Sequence, residues 1–472
     1  MILPRLLQTL RLWRHEVRPT LALALPIMAG MLSQMLMGLA DTIMVGRVGV
    51  VSLAASAFVT AIAHLPLVFG LGLLSCIAVL TSQAYGARRP AEAGEVLRHG
   101  LVMAALIGLL AMLTMFAVHP LRGHMGQSPA VAAASGNYLL LFGASLLPAL
   151  IAHGCKQFSD ALKHPWLPTF VMLGSVLLNV FLNWILIYGN CGAPALGLEG
   201  AGWATLIARI VMAVVLVGYV LRAPAMRAFH PLRWRTAFSP ARFRTMLSVG
   251  WPVGIQHFFE VSAFALGAIM MGWISADAIA AHQIAISCAA MTFMSALGIG
   301  AAACIRVGHA YGAQQFTRLR RIGFSAITMA ALLMAGFGMM FALAGKPIAA
   351  WFIESPSVVA LTAQLLIVAA VFQIADGIQV TAISALRGLA DVRVPAMIAV
   401  VAYWLVALPL GYGLAFRARL GVVGMWIGFA AGLGSAAIGL AWRFHRKTQG
   451  TLPPSASPPP LAETFPEHGD LP

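Results

Sequence analysis

The chain has 472 residues, 60% hydrophobic and 9% charged, whereas an ordinary soluble domain is roughly 45–50% apolar and about 25% charged. That composition excludes a soluble enzyme, and a mean hydropathy of +0.88 makes the bilayer the chain's solvent. Thirty Lys and Arg stand against 14 Asp and Glu, a net charge of +16, which in such a chain reports membrane topology before it suggests nucleic acid.

The first twenty residues carry Arg5, Arg11, Arg14 and Arg18 ahead of an apolar run. That run outlasts a signal-peptide core, so it predicts an uncleaved first helix. Runs long enough to span follow one another at about 21–41, 51–80, 99–118, 130–152, 166–188, 201–221, 246–274, 278–305, 322–344, 357–384, 394–415 and 421–442, which predicts twelve transmembrane helices. Pro26, Pro66, Pro148, Pro252 and Pro409 fall inside them and predict kinks. Residues 222–245 form a basic linker, and 443–472, rich in Pro and Ser, read as a disordered tail. With both termini on one side, that side collects 24 of the 30 Lys and Arg. This is the positive-inside pattern, so residues 1–20, the linker and the tail are expected to be cytoplasmic. The five cysteines show no CxxC or Cys/His spacing and read as packing residues.

An internal repeat appears at an offset of 226 residues. Pro26 matches Pro252, Ile43-Met44-Val45-Gly46 matches Ile269-Met270-Met271-Gly272, and Ala84-Tyr85-Gly86-Ala87 matches Ala310-Tyr311-Gly312-Ala313. Six spans per copy is an even number, so the copies enter the membrane from the same side. The expected fold is an all-α integral membrane protein with two parallel six-helix lobes, 21–221 and 246–442, about a pseudo-twofold axis along the membrane normal. Secondary transporters place cargo and coupling-ion sites between such repeats.

Within the apolar runs only Asp41, Arg209, Glu260 and Asp376 are charged. A charge at the bilayer centre costs about 3 kcal/mol on the translocon scale, so each is a functional candidate. Asp41 shares a helix face with Gln34, Glu260 with Gln256 and His257, and Asp376 with Phe372, Gln373 and Gln379. A carboxylate in such surroundings can hold a proton or bind a cation, and either suits ion coupling. Asn179 and Asn183, one turn apart, present two amides to one face as support for Asp41 or as interhelical glue. Arg209 reads as structural. The repeat gives none of the three acids an acidic counterpart. His257-x-x-Glu260 lacks the second histidine of a zinc motif, His282 and Gln283 lie on another helix, and no GxxxxGK[ST] loop is present. Neither an enzyme nor a resident cofactor is expected, and transport must draw on a gradient.

Six segments together resemble the multidrug and toxic compound extrusion (MATE) family, most closely its bacterial NorM-like branch: PIMAGMLSQMLMGLADTIMVGRVG, LLNVFLNWILIYG, FFEVSAFALGAIM with AAHQIAI, IRVGHAYGA, and QIADGIQVTAISALRG. The resemblance runs from about 20 to 445. It implies a multidrug efflux antiporter of the bacterial inner membrane that exports cationic amphipathic compounds in exchange for Na⁺ or H⁺ by rocking two lobes. By the same resemblance Asp41 is the amino-lobe acid, with Asn179 and Asn183 beside it, and Glu260 and Asp376 are the carboxy-lobe acids linked to cation binding. Gln34, Gln256, His257, Gln283, Phe372, Gln373 and Gln379 are supporting candidates. Phe372 stands where NorM-like members often carry Tyr, which bears on Na⁺. The partners expected are small cationic drugs, the coupling cation and membrane lipids, with a monomer as the assembly. The alternative is a lipid-linked precursor flippase, whose cavity would need a basic lining for phosphate.

Overall fold

The computed structural model describes residues 2–231, 234 and 237–449, with side chains from residue 15 onward. The expected disordered tail lies outside the described residues from 450 on. Among the described residues there is no strand. Twelve helices are long and apolar enough to cross a membrane. They are α1 (Ile2–Gly46), α2 (Val50–Gly86), α3 (Pro90–Val118), α4 (Pro129–Ala161), α5 (Trp166–Tyr188) and α6 (Leu198–Arg222), then α7 (Pro240–Gly272), α8 (Ala276–Gly312), α9 (Phe316–Ala350), α10 (Pro356–Gly388), α11 (Arg393–Arg417) and α12 (Gly421–Thr448).

In lipid, a helix must satisfy every backbone group internally, and helical bonding continues through Pro26, Pro66, Pro148 and Pro252. The departures lie elsewhere. Ala344 in α9 leaves helical geometry at φ −111°, three residues before Pro347. In α11 the segments Ala402–Ala407 and Gly413–Arg417, on either side of Pro409, are π-helical. Such wide turns shift which side chains face a neighbour.

Each lobe has its own apolar core. One is built mainly from α2 to α6, around Leu74, Leu139, Leu146 and Phe158; the other from α7 to α12, around Leu365, Trp426, Phe429 and Phe444. The first helix of each lobe crosses to the other. In α1, Leu23, Ala24 and Ile27 pack with Ile299, Ala302 and Ala303 of α8 and Ala326 and Ala330 of α9. In α7, Met246, Val249 and Val253 belong to the amino-lobe core, while Ala263 and Met271 belong to the carboxy-lobe core. Pro26 and Pro252, matched by the repeat, mark these symmetry-related crossings.

The lobes meet on the half of the bundle nearest the termini, called the basic face here because most Lys and Arg lie there. Contact is made through glycines. A Cβ on Gly86 would overlap the His309 carbonyl oxygen and one on Gly312 the Gln83 carbonyl oxygen, while one on Gly72 would lie 2.7 Å from the Cα of Gly254. Gln83 Nε2 donates to the Gly388 carbonyl at 2.9 Å, and His309 Nε2 lies 2.7 Å from the Ala161 carbonyl. Away from this face, Gln34, Leu36, Leu39 and Ile43 of α1 are exposed. Among the described residues, the glycine contacts and inter-lobe hydrogen bonds named here therefore lie at the basic face.

Gly86→Ala and Gly312→Ala should each destabilise the closed basic face by about 1–3 kcal/mol through overpacking, read as a lower melting temperature of the purified protein. Gly434→Ala, where a Cβ meets nothing within 4 Å, should not lower it. Wild-type melting in both of the first two variants would mean that the lobes do not approach this closely.

Candidate functional site

The amino-lobe candidates form one network. Asp41 of α1 accepts from Asn183 Nδ2 of α5 at 2.6 Å and from the Thr205 hydroxyl of α6 at 3.4 Å. Asn183 Nδ2 also lies 3.2 Å from Asn179 Oδ1, and Asn179 Nδ2 donates to Thr205 Oγ1 at 3.4 Å. Asn179, Asn183 and Thr205 are fully buried. The two amides one turn apart thus do reach Asp41, and Asn183 Oδ1 is left buried without a partner. Arg209 Nη1 donates to Ser145 Oγ at 2.7 Å and its guanidinium lies over the Phe142 ring. It makes no ion pair with Asp41 among the described residues, although its field reaches that acid. Gln34, two turns back, is exposed and outside the network.

In the carboxy lobe, Glu260 of α7 accepts from the Tyr403 hydroxyl at 2.9 Å and has Gln256 Nε2 at 3.5 Å and His257 Nδ1 at 3.8 Å. Tyr403 sits in the first π-helical segment of α11, whose wide turn carries the hydroxyl to Glu260; it also lies 3.2 Å from Gln379 Oε1. A phenol has one proton, so it serves one acceptor at a time; Gln379 with its amide turned over would donate to Tyr403 instead. Asp376 of α10 is 6% exposed, close enough to feel the Glu260 charge, and makes no side-chain hydrogen bond among the described residues. Gln373 Nε2 donates to Thr292 Oγ1 of α8, leaving its own Oε1 buried and unpartnered. Phe372 is buried against Trp426 (5.6 Å between centroids) and Phe264 (6.5 Å). Gln283 is exposed on α8 and joins neither cluster.

One expectation needs correction. The apolar runs held only four charges, but the helices extend beyond the runs and enclose more. Lys156 and Asp160 pair within α4, Arg306 of α8 pairs with Glu16, and Arg387 of α10 is buried. The run drawn to 384 stopped three residues short of Arg387. Its Nη2 donates to Gln256 Oε1 at 2.8 Å and lies 3.4 Å from His257 Nε2. Arg387, Tyr403 and Thr205 are the site neighbours that the sequence reading missed. Only Arg387 left a usable signal: it stands eleven residues after Asp376, three turns along the same face.

Helices that cross a membrane, two lobes related by a repeat, and polar clusters buried in each define a membrane transporter, not an enzyme. The MatE family model matches residues 26–185 and 252–413, two segments that begin 226 residues apart, the offset of the internal repeat. The chain belongs to the MATE family. It is 35% identical over 454 residues to the "Probable multidrug resistance protein NorM" of Mesorhizobium japonicum, covering 94% of this chain and 97% of that one. It is likewise 35% identical over 450 residues to the "Multidrug resistance protein NorM" of Burkholderia vietnamiensis, covering 93% and 96%. Among solved structures, a Vibrio cholerae MATE transporter superposes with a TM-score of 0.85 at 20% identity, over 93% of this chain and 98% of that one. A MATE transporter in an outward-facing conformation gives 0.85 at 20% identity, over 92% and 96%. These likenesses establish the fold.

Tyr403→Phe keeps the ring and removes the donor to Glu260. Combined with Glu260→Ala, which removes the acceptor, in a double-mutant cycle on thermal stability, it should show a coupling of about 1 kcal/mol. Simple additivity of the two changes would show that this bond is not made.

Proposed function

We propose that this chain is a multidrug efflux antiporter that exports cationic, amphipathic compounds in exchange for Na⁺ or H⁺. The observation that carries the reading is the pair of carboxylates in the carboxy lobe, Glu260, half-buried and hydrogen-bonded to Tyr403, and Asp376, buried without a side-chain hydrogen bond among the described residues. Two like charges in low dielectric are relieved by a proton or a cation between them. For Na⁺ the hard oxygen donors at hand are the two carboxylates, the Gln379 amide oxygen and the Tyr403 hydroxyl. Tyr403 supplies from α11 a phenol that Phe372 does not offer from α10.

In this reading the coupling cation binds at Glu260 and Asp376, and Asp41 with its amides answers to the cargo. Binding shifts the balance between two arrangements of the lobes. An arrangement packed at the basic face suits the outward-open state if that face is cytoplasmic, as the positive-inside pattern supports. The protein is then a monomer of the bacterial inner membrane with both termini inside. Three interior acids against Arg209 and Arg387 favour cationic cargo over the phosphate of a lipid-linked precursor.

The test is ethidium efflux from proteoliposomes, with Na⁺ and pH gradients imposed separately. One gradient should drive export, and Glu260→Gln and Asp376→Asn should each abolish it while leaving the yield of folded protein unchanged. Undiminished export in both variants would overturn the assignment of the coupling site, and no export under either gradient would overturn the antiporter reading.

A further inference from the structure

A cavity of about 800 Å³ opens at the basic face, apart from both acidic clusters. Its polar wall brings together Arg88 and Arg89 from the α2–α3 turn, Lys163 from the α4–α5 turn, and Arg306 and Arg318 from α8 and α9. Counter-charge is short. Glu16 serves both Arg306 and Arg318, and Glu92 lies 3.6 Å from Arg89. Among the described residues no carboxylate lies within ion-pair distance of Arg88 or Lys163. Lys163 has only the face of the Tyr85 ring, 5.2 Å away. Burial and the facing Arg318 and Arg306 pull its ammonium below the ordinary value. Five cations thus share two carboxylates around one hollow, and that excess of positive charge favours an anion.

The lining is also partly apolar. Leu23, Ile322 and Phe229 belong to it, and Trp166, half exposed at the start of α5, stands at its edge, where an amphipathic ring suits a membrane interface. A group with a phosphate head and an apolar body matches this mixed lining. Arginines supply forked donors for phosphate oxygens, and lysine a point charge.

We propose that this cavity binds a phosphate group, carried either by an anionic phospholipid or by a soluble phosphate ester. The donors come from both lobes, so the bound phosphate bridges Arg88, Arg89 and Lys163 of one to Arg306 and Arg318 of the other. The site is independent of the coupling chemistry, and its test reads binding, not export.

The full-length protein, purified in a neutral detergent, is titrated by native mass spectrometry with phosphatidylglycerol, phosphatidylcholine and glycerol 3-phosphate in separate arms. The test variant carries Arg88→Gln, Arg89→Gln and Lys163→Gln, all exposed positions at turns. Arg88→Lys with Arg89→Lys and Lys163→Arg keeps the charge, and Arg417→Gln with Arg419→Gln removes two cations from the opposite face. Phosphatidylglycerol should bind more tightly than phosphatidylcholine. The neutralised variant should bind it about a hundredfold more weakly, at roughly a factor of five per cation, while the other two variants bind as wild type does. The same loss seen with glycerol 3-phosphate, and not with the lipid, assigns the phosphate to a soluble ester. Equal binding of both lipids with no loss of glycerol 3-phosphate binding in the neutralised variant, or a neutralised variant that binds every phosphate probe as wild type does, overturns the proposal.

Discussion

Everything in this structure depends on how closely two backbones can approach where the lobes meet. At Gly86 and Gly312 a helix end of one lobe lies against a carbonyl of the other with no room for a methyl group. Packing of this kind drives helix association in membranes, where lipid is as apolar as leucine and burial of apolar surface adds little. The repeat explains why the contact occurs twice. The sequence Ala-Tyr-Gly-Ala ends α2 and, 226 residues later, α8, and the two ends cross beside the pseudo-twofold axis. The basic-face halves of α1 and α7 lean across to the opposite lobe in the same symmetric way. The contacts gather at one end of the bundle, so the other end is free to part.

Onto this symmetric scaffold the sequence places two unlike chemistries. Asp41 is a single carboxylate surrounded by donors, Asn183 and Thr205, themselves held by Asn179. In the carboxy lobe Glu260 takes the Tyr403 hydroxyl and the Gln256 amide, whereas Asp376 makes no side-chain hydrogen bond among the described residues. A carboxylate met by oriented donors is held in its charged form, whereas one buried without a donor is relieved by a proton or a cation. This difference supports assigning the coupling cation to the carboxy lobe and the response to cargo to Asp41.

Much of this was legible in the sequence because lipid imposes a simple rule: about twenty apolar residues per crossing. The twelve spans, the repeat and the parallel lobes follow from that rule and from one tetrapeptide. The pairing of Asn183 with Asp41 was legible from two amides one turn apart. Arg387 escaped because an apolar run ends where lipid ends, whereas α10 continues to Gly388 against the other lobe, with Gln83 capping the Gly388 carbonyl. Tyr403 escaped because a π-helical turn breaks the phase on which face arguments rest. Gln34 and Gln283 show the converse limit: polar periodicity marks a face but does not say whether that face meets a network or open space.

Arg387 also fixes the carboxy-lobe cluster in detail. A guanidinium only donates, so Gln256 must turn its amide oxygen toward Arg387, and its nitrogen is left to face Glu260. Arg387 therefore acts on Glu260 twice, through its charge and through the orientation it imposes on Gln256.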